Sequence, residues 1–171
     1  ADSAGREWDE GRILIPRGEA DNIMSVSTVQ LPDGNWLLFH LKRFGWNNLH
    51  AFVQRTTDEF QTLSEPVRVT VVDGYHVVNN DRVIRTSSGR LIVPSALHPC
   101  PDGTRKTWSP KAVPMVFLSD DDGRSWRRAA EVVPPPEDAA VALQEPGVVE
   151  LQDGRICMWL RTSTNRQYQS F

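Results

Sequence analysis

An internal repeat restricts the fold of this 171-residue chain more than any other feature. Three segments align without a gap, and each ends on a glycine: residues 23–34 (IMSVSTVQLPDG), 78–89 (VNNDRVIRTSSG) and 143–154 (LQEPGVVELQDG). Each segment is followed directly by an apolar stretch. The Asp-Gly and Ser-Gly dipeptides at their ends supply the positive φ that a tight hairpin turn requires. Each segment is therefore predicted to be the first strand of a β-hairpin.

A second motif lies between the hairpins, at residues 119–126 (SDDDGRSW). It has the pattern S-x-D-x-G-x-x-W, and the same offsets recur in weaker form at Thr56, Asp58, Phe60 and Leu63, and at Ala1, Ser3, Gly5 and Trp8. In such a turn the hydroxyl and the carboxylate cap backbone N–H groups, glycine takes the strained φ, and tryptophan packs on the sheet. We expect Ser119, Asp121, Gly123 and Trp126 to be structural rather than catalytic or metal-binding.

The spacing of the two motifs predicts an all-β fold. The turn glycines lie 55 and 65 residues apart, and no long window has a helical period. The pattern predicts one strand at residues 9–16, four-stranded units at 23–72 and 77–134, and a three-stranded set at 144–171. A period near 60 residues with four antiparallel strands is typical of a β-propeller blade, so we predict a β-propeller with about three blades present.

Composition and charge exclude several functional classes. The chain has 19 Lys and Arg against 22 Asp and Glu, so no positive field is available to hold a nucleic acid. No apolar run is long enough to cross a bilayer. Cys100 and Cys157 are too few for a disulfide framework and lack metal-site spacing, and we expect neither a metal nor a cofactor.

Strand alternation predicts where a site would lie. The starts of the first strands and the connections between second and third strands share one rim, opposite the hairpin turns. Nine residues before the turn glycines stand Ser25, Asn80 and Glu145, which we expect to converge on a common central region. Glu145 precedes a proline in an otherwise apolar strand, so it is either buried with a partner or presented to a cleft.

These features resemble the sialidase (neuraminidase) superfamily. Residues 119–126 resemble its Asp-box, or bacterial neuraminidase repeat (BNR), and residues 74–84 (GYHVVNNDRVI), 143–151 (LQEPGVVEL) and 153–155 (DGR) resemble an exo-α-sialidase-type branch. The resemblance covers nearly the whole chain. It implies a glycoside hydrolase that removes terminal α-linked sialic acid, or a related acidic sugar, from glycans. It also implies a six-bladed propeller, of which this chain would be half, and favours a secreted or periplasmic location over a cytoplasmic one.

The resemblance also implies roles for rim residues. Glu145 matches a glutamate that polarises a tyrosine nucleophile; the alternative is a structural ion pair across the rim. Sialidases bind the substrate carboxylate with three arginines, for which guanidinium forks are suited. Arg166 is the favoured candidate and Arg161 the second; Arg82 and Arg43 are further rim cations, and each could instead be a solvated loop residue. The cluster Asn79, Asn80, Asp81 and Arg82 either recognises substrate hydroxyls or forms a local network centred on Asp81 and Arg82.

The family's acid/base aspartate and tyrosine nucleophile have no counterpart here, since Tyr75 and Tyr168 stand elsewhere. The isolated chain is therefore expected to be weak or inactive as a hydrolase. The missing blades would come from the rest of a longer polypeptide or from a twofold homodimer in which residues 9–16 complete the other copy's last sheet. The alternative function is a non-catalytic carbohydrate-binding propeller in which Asn79, Asn80 and Trp108 bind the glycan.

Overall fold

The computed structural model describes residues 4–8, 10–130, 134, 137–164 and 167–171. These residues contain no α-helix, and hence none that could span a membrane. They form twelve strands: β1 Asn22–Gln30, β2 Trp36–Gly45, β3 Asn48–Thr56, β4 Val67–Arg68, β5 Tyr75–Val77, β6 Ile84–Arg85, β7 Leu91–His98, β8 Val113–Ser119, β9 Arg127–Arg128, β10 Gln144–Glu150, β11 Ile156–Arg161 and β12 Gln167–Ser170.

The first sheet consists of β1 to β4, paired antiparallel in chain order. Its first hairpin closes at Gly34, which has a φ of 87°, a conformation that glycine adopts without steric strain. Asp33 caps the turn by accepting a hydrogen bond from the backbone N–H of Asn35, at 3.0 Å. The local dipeptide thus directs the chain back along the strand, as the repeat predicted.

The second sheet repeats this order with β6 to β9, but its first strand is divided. The short strands β5 and β6 both pair antiparallel with β7, one near each end of it. Residues 78–83 leave the ladder between them, where the sequence predicted continuous pairing. Asn and Asp are poor strand formers, which accounts for the break. A single parallel pair, Leu49 with Tyr75, connects β5 to β3 and so links β1 to β9 by hydrogen bonds. We keep the names first sheet for β1 to β4 and second sheet for β5 to β9.

The third sheet consists of β10, β11 and β12, also antiparallel in chain order. Two apolar cores lie between the three groups of strands. Alternate side chains of β7 point to opposite faces, as expected for a strand: Leu91 and Val93 enter the first core, and Ile92 enters the second with Val148 and Leu160. The strands thus form successive sheets packed face to face.

Residues 119–126 form a turn fastened by their own side chains. Gly123, at a φ of 84°, donates its backbone N–H to Ser119 Oγ at 2.8 Å, and Ser119 Oγ donates to Asp121 Oδ1 at 2.8 Å. The backbone N–H and hydroxyl of Ser125 donate to the Asp121 carboxylate at 2.9 and 2.6 Å. Burial alone would raise the pKa of Asp121, but these hydrogen bonds outweigh it and lower the pKa to about 2. Asp121 is therefore an ionised cap of the turn.

The weaker copy at Thr56 has the same hydrogen bonds at the same offsets. Thr56 Oγ1 donates to Asp58 Oδ1 at 2.8 Å and accepts from the Phe60 N–H at 3.0 Å. The N–H and hydroxyl of Thr62 donate to the Asp58 carboxylate at 2.9 and 2.7 Å. Phe60 has a φ of 67° at the position of Gly123. The two turns are therefore structural repeats despite their different sequences.

The third copy is partly described, because Ala1 and Ser3 lie outside the described residues. Gly5 has a φ of 67°, and Trp8 Nε1 donates to its carbonyl at 2.9 Å. Trp126 makes the equivalent bond to Gly123 at 3.2 Å. The two tryptophans differ in packing: Trp126 meets Phe39 edge to face, whereas Trp8 is 81% exposed.

The strand expected at residues 9–16 is not found, since residues 10–16 belong to no strand. This segment is held by a side chain instead: Arg12 donates to the carbonyls of Phe60 and Gln61. Ile13, in the same segment, is 84% exposed. A strand needs a backbone ladder with a neighbour, and none of the described strands pairs with this segment.

Candidate functional site

The first strand of each of the three groups is interrupted near its beginning. In β1 the register shifts between Met24 and Ser27, and in β10 it shifts between Gln144 and Gly147. In the second sheet the interruption is the segment 78–83 between β5 and β6. A bulge bends its strand and redirects the side chains beside it, often next to a functional site. The three interruptions thus occupy equivalent positions in the three repeats.

Each interruption contains a non-glycine residue with positive φ. The values are 58° at Ser25, 55° at Asp81 and 52° at Glu145. Such residues are uncommon, and strain of this kind is typically found where a side chain is presented to a site. Sequence alignment placed Asn80 opposite Ser25 and Glu145, so the structural equivalence is displaced by one residue in the second sheet.

Backbone contacts join the first interruption to the second. Asn80 Oδ1 accepts a hydrogen bond from the Val26 N–H at 3.1 Å, and the Asp81 N–H donates to the Val26 carbonyl at 3.1 Å. The next residue, Arg82, donates its backbone N–H to Ser27 Oγ at 3.2 Å. Asn80 therefore fastens two strand starts together.

An indole ring joins the second interruption to the third. The guanidinium carbon of Arg82 lies 6.0 Å from the centre of the Trp159 ring, at cation–π distance. Trp159 in turn covers Gly147, where a Cβ would overlap the ring. Its side chain remains 36% exposed. Arg82 Nε is buried and has no hydrogen-bond partner within the described part of the chain. Trp159 is thus a partly open ring face beside a guanidinium.

Glu145, in the third interruption, forms an ion pair with Arg161. Arg161 Nη1 donates to Glu145 Oε1 at 2.7 Å, and the side chains of Arg161 and Glu145 are 54% and 42% exposed, respectively. The ion pair uses one carboxylate oxygen, so Oε2 keeps its capacity for another donor. We call the three interruptions, together with Trp159 and Arg161, the rim row.

The other predicted site residues lie apart from these contacts or have no described geometry. Arg43 lies 3.9 Å from Asp21 and stacks 5.6 Å from the centre of the Trp46 ring. Arg166 lies outside the described residues. The carboxylate of Asp81 forms no ion pair with Arg82 among the described contacts, and the local bonds of this pair are those of its backbone N–H groups to Val26 and Ser27.

Two further predicted residues have buried polar atoms. Asn79 Oδ1 is buried without a hydrogen-bond partner in the described part of the chain, and the same holds for Trp108 Nε1. Trp108 stacks on His98 with 4.5 Å between ring centres and packs against the first core. Trp108 is therefore placed as a packing residue, whereas Asn79 retains an unused acceptor near the second interruption.

Sequence reasoning did not single out Trp159 as a site residue. The available signal was Gly147, since a glycine inside a strand often marks a close approach by another group. The register pairs Gly147 with Trp159 directly across β10 and β11. Identifying the contact from sequence required that register, which the bulge at Glu145 shifts.

The chemistry of the rim row suits an anionic, hydroxylated ligand. Guanidinium groups bind carboxylates with strong charge-assisted hydrogen bonds, and an exposed indole face can pack on the C–H face of a ring. A carboxylate oxygen and an amide oxygen can accept hydrogen bonds from hydroxyls. The described residues contain no group of three or more His, Cys, Asp or Glu side chains suited to hold a metal ion.

Comparison with known proteins shows which family and which folds the chain is similar to. The family described as "BNR repeat-like domain" matches residues 1–171. No curated protein matches the chain. Among solved structures, a protein of unknown function from Dyadobacter fermentans DSM 18053 is 18% identical, with a TM-score of 0.61, and the match covers 84% of this chain and 44% of that one.

Two similar structures are glycosidases by their descriptions. Hadza microbial sialidase Hz136 is 15% identical with a TM-score of 0.69, and the match covers 99% of this chain and 36% of that one. A thermostable family-43 glycoside hydrolase is 15% identical with a TM-score of 0.57, covering 88% and 51%. The chain thus spans about half the length of these structures or less. The predicted all-β propeller fold is confirmed, and the prediction of half a six-bladed ring stays a prediction.

Proposed function

The chain belongs to the BNR repeat-like domain family, and from this premise we propose that it is part of a sialidase-type glycoside hydrolase. Its substrate would be a glycan ending in α-linked sialic acid or a related acidic sugar. Its fold is that of glycoside hydrolases, which supports the broader class. The choice of an acidic sugar rests on the rim row.

The observation that carries the proposal is the contact between Arg82, Trp159 and the third interruption. A guanidinium stacked at 6.0 Å on a partly exposed indole is positioned, without competition from an ion pair among described residues, to bind a carboxylate. Arg161, 2.7 Å from Glu145, adds a second guanidinium to the same row. A sugar that bears a carboxylate would contact both charges and the ring.

Glu145 would act on the nucleophile rather than on the sugar. One oxygen, Oε1, is held by Arg161, which leaves Oε2 to accept the proton of a tyrosine hydroxyl as the phenol oxygen attacks the anomeric carbon. The glycosidic bond breaks as an acid protonates the leaving oxygen. Tyr75 does not suit this role, because it is stacked on Trp46 in the first core. We therefore propose that a tyrosine other than Tyr75, and an acid that is not part of the rim row, supply these two steps.

The alternative proposal is a carbohydrate-binding propeller without catalysis. It is favoured by the ion pair between Glu145 and Arg161, since a paired carboxylate at the rim serves equally well to orient a binding arginine. The buried, unpaired oxygen of Asn79 would then accept a hydrogen bond from a glycan hydroxyl. In this case the rim row would bind glycans without hydrolysing them.

Hydrolysis of a fluorogenic sialoside separates the two proposals. The assay uses this chain and the same chain extended at both ends, each with Glu145→Gln and with the matched control Glu65→Gln. The hydrolase proposal predicts turnover by the extended protein that falls about 100-fold or more with E145Q and is unchanged by E65Q. Glycan binding without turnover in both forms would support the alternative, and neither binding nor turnover would overturn both.

A further inference from the structure

A second group of guanidiniums lies between the first and second sheets, outside the rim row. The guanidinium carbons of Arg43 and Arg105 lie 5.6 and 5.8 Å from the centre of the Trp46 ring. Arg43 belongs to β2, and Arg105 to the connection between β7 and β8. Trp46 itself stacks on Tyr75, with the two rings 6° from parallel. One indole ring thus holds a cation from each of two sheets.

The protein leaves the hydrogen-bond donors of both guanidiniums unused. Within the described part of the chain, Arg105 forms neither an ion pair nor a side-chain hydrogen bond. Arg43 has one carboxylate nearby, Asp21, at 3.9 Å, which is beyond hydrogen-bond distance. The connection at residues 99–111 carries three cations and one carboxylate, whereas the whole chain has a net charge of −3. Since like charges repel, an anion bound between these cations would be stabilised.

The connection that carries Arg105 is ordered by its own contacts. Ser109 donates its backbone N–H to the carbonyl of Pro99 at 2.8 Å, which closes the base of the connection. Its tip lies against the turn between β2 and β3, since a Cβ on Gly103 would be 3.1 Å from Asn47 Nδ2. Arg105 is therefore held in place before a ligand binds, which lowers the entropic cost of binding.

This group of guanidiniums lies at the same end of the sheets as the rim row. Arg43 pairs with Asn22 at the start of β1, shortly before the first interruption. Tyr75, on which Trp46 stacks, begins β5, and the interruption at residues 78–83 follows that strand directly. The group therefore adjoins two of the three interruptions.

We propose that Arg43 and Arg105 form a subsite for a second anionic group of the ligand, a carboxylate or a sulfate next to the terminal acidic sugar. This inference rests on the proposed function and narrows the substrate class to glycans with two neighbouring acidic groups. Guanidiniums bind either anion through paired N–H donors. Cation–π contact with Trp46 holds both guanidiniums in position.

Calorimetric titration of the 171-residue chain with three glycans tests the subsite. Sialyllactose has one acidic group, disialyllactose has a second carboxylate, and sialyllactose sulfated on its galactose has a sulfate. At least one of the two doubly acidic glycans should bind about tenfold or more tightly than sialyllactose, as expected for a charge-assisted hydrogen bond. The glycan that shows the gain identifies the anion.

Substitutions assign this gain in affinity to the two guanidiniums. Arg105→Ala should remove the gain and leave the affinity for sialyllactose within about twofold, and Arg43→Ala should also reduce the gain. Arg105→Lys keeps the charge but loses the paired donors, so it should recover only part of the gain. The control Arg128→Ala, in exposed β9, should retain all of it. Circular dichroism checks the folding of each variant.

The three glycans also separate the subsite from the proposed function. If sialyllactose binds and neither doubly acidic glycan binds more tightly, the subsite alone is overturned, as it is if R105A retains the gain. Binding of a doubly acidic glycan without binding of sialyllactose would support the subsite and contradict the role of the rim row. No binding of any of the three would overturn both.

Discussion

The backbone of the rim row is strained at three positions. Each of Ser25, Asp81 and Glu145 has a positive φ at an interrupted strand start. A side chain in this conformation is disfavoured by about 1 kcal/mol or more, which the surrounding structure must offset. All three residues are polar. A β-branched side chain such as Val or Ile is strongly disfavoured at positive φ.

Glycine substitution tests this strain. Ser25→Gly removes the steric penalty but adds unfolded-state entropy, so we expect the free energy of unfolding to change by less than about 0.5 kcal/mol. The matched control Thr28→Gly lies within regular β1 pairing and should lower it by about 1 kcal/mol. Urea denaturation measures both. Equal losses in the two variants would mean that Ser25 is not strained.

A second residue-level prediction concerns the capped turns. Asp121→Ala removes a carboxylate that accepts hydrogen bonds from Ser119 and Ser125, and we expect it to lower the free energy of unfolding by about 1–3 kcal/mol. Asp102→Ala, in an exposed loop, serves as the control and should change it by less than about 0.5 kcal/mol. A loss in D121A no larger than in D102A would contradict the structural role of Asp121.

Prediction from sequence succeeds for residues whose partners are close in the chain. Asp121 and its partners fall within seven residues, so the pattern alone indicates the turn. Glu145 was identified because a carboxylate in an apolar strand needs a partner, and Arg161 across the hairpin is that partner. Trp159 was missed because its contact with Arg82 joins residues 77 positions apart, and no local pattern reports such a contact.

At the scale of elements, hairpins were predictable and interruptions were not. The Asp-Gly and Ser-Gly turns specify where β1, β6 and β10 end, since positive φ is a local requirement. The division between β5 and β6, and the one-residue shifts in β1 and β10, depend on how each innermost strand meets the next sheet. The absence of a strand at residues 10–16 has a similar origin, because pairing needs a neighbour.

Gly147→Ala tests whether β10 and β11 position the indole of the rim row. A Cβ at Gly147 would overlap Trp159, so the ring must move away. We expect weaker binding of an acidic sugar by about tenfold, with a change in tryptophan fluorescence. Gly45→Ala, where no atom lies within 4 Å of the added Cβ, is the control. Unchanged binding in G147A would mean that Trp159 does not contact the ligand.

At the scale of the whole molecule, the buried histidines make stability depend on pH. Burial lowers the pKa of His40, His50 and His76 from 6.5 to about 4. The folded protein therefore binds fewer protons than the unfolded chain between these values. The stabilisation is fully present above pH 6.5 and is lost as the pH falls toward 4. Urea midpoints at pH 7.5, 6, 5 and 4.5 should fall in that order; a constant midpoint would contradict neutral burial.

His40→Phe separates the contribution of His40 to the pH dependence of stability from those of His50 and His76. Both ring nitrogens of His40 are buried without a hydrogen-bond partner in the described part of the chain, and its ring stacks 6.0 Å from Phe52. Replacement by an apolar ring should leave stability at pH 7.5 equal or higher and weaken its decline toward pH 4.5. The same pH dependence in H40F as in the wild type would exclude His40 as a contributor.

The overall fold was predictable from the repeat, because three similar segments are expected to form three similar sheets. We infer that three strand starts, one from each group of strands, form one site for an acidic sugar.

Equilibrium binding of sialic acid and of its methyl ester tests whether this site binds a carboxylate. The wild-type protein should bind the acid at least about tenfold more tightly than the ester, because the ester lacks the charge that Arg82 and Arg161 bind. Arg82→Ala should abolish this preference, and Arg127→Ala, at the opposite end of the sheets, should retain it. Equal affinity for acid and ester, or a preference unchanged by R82A, would contradict the account.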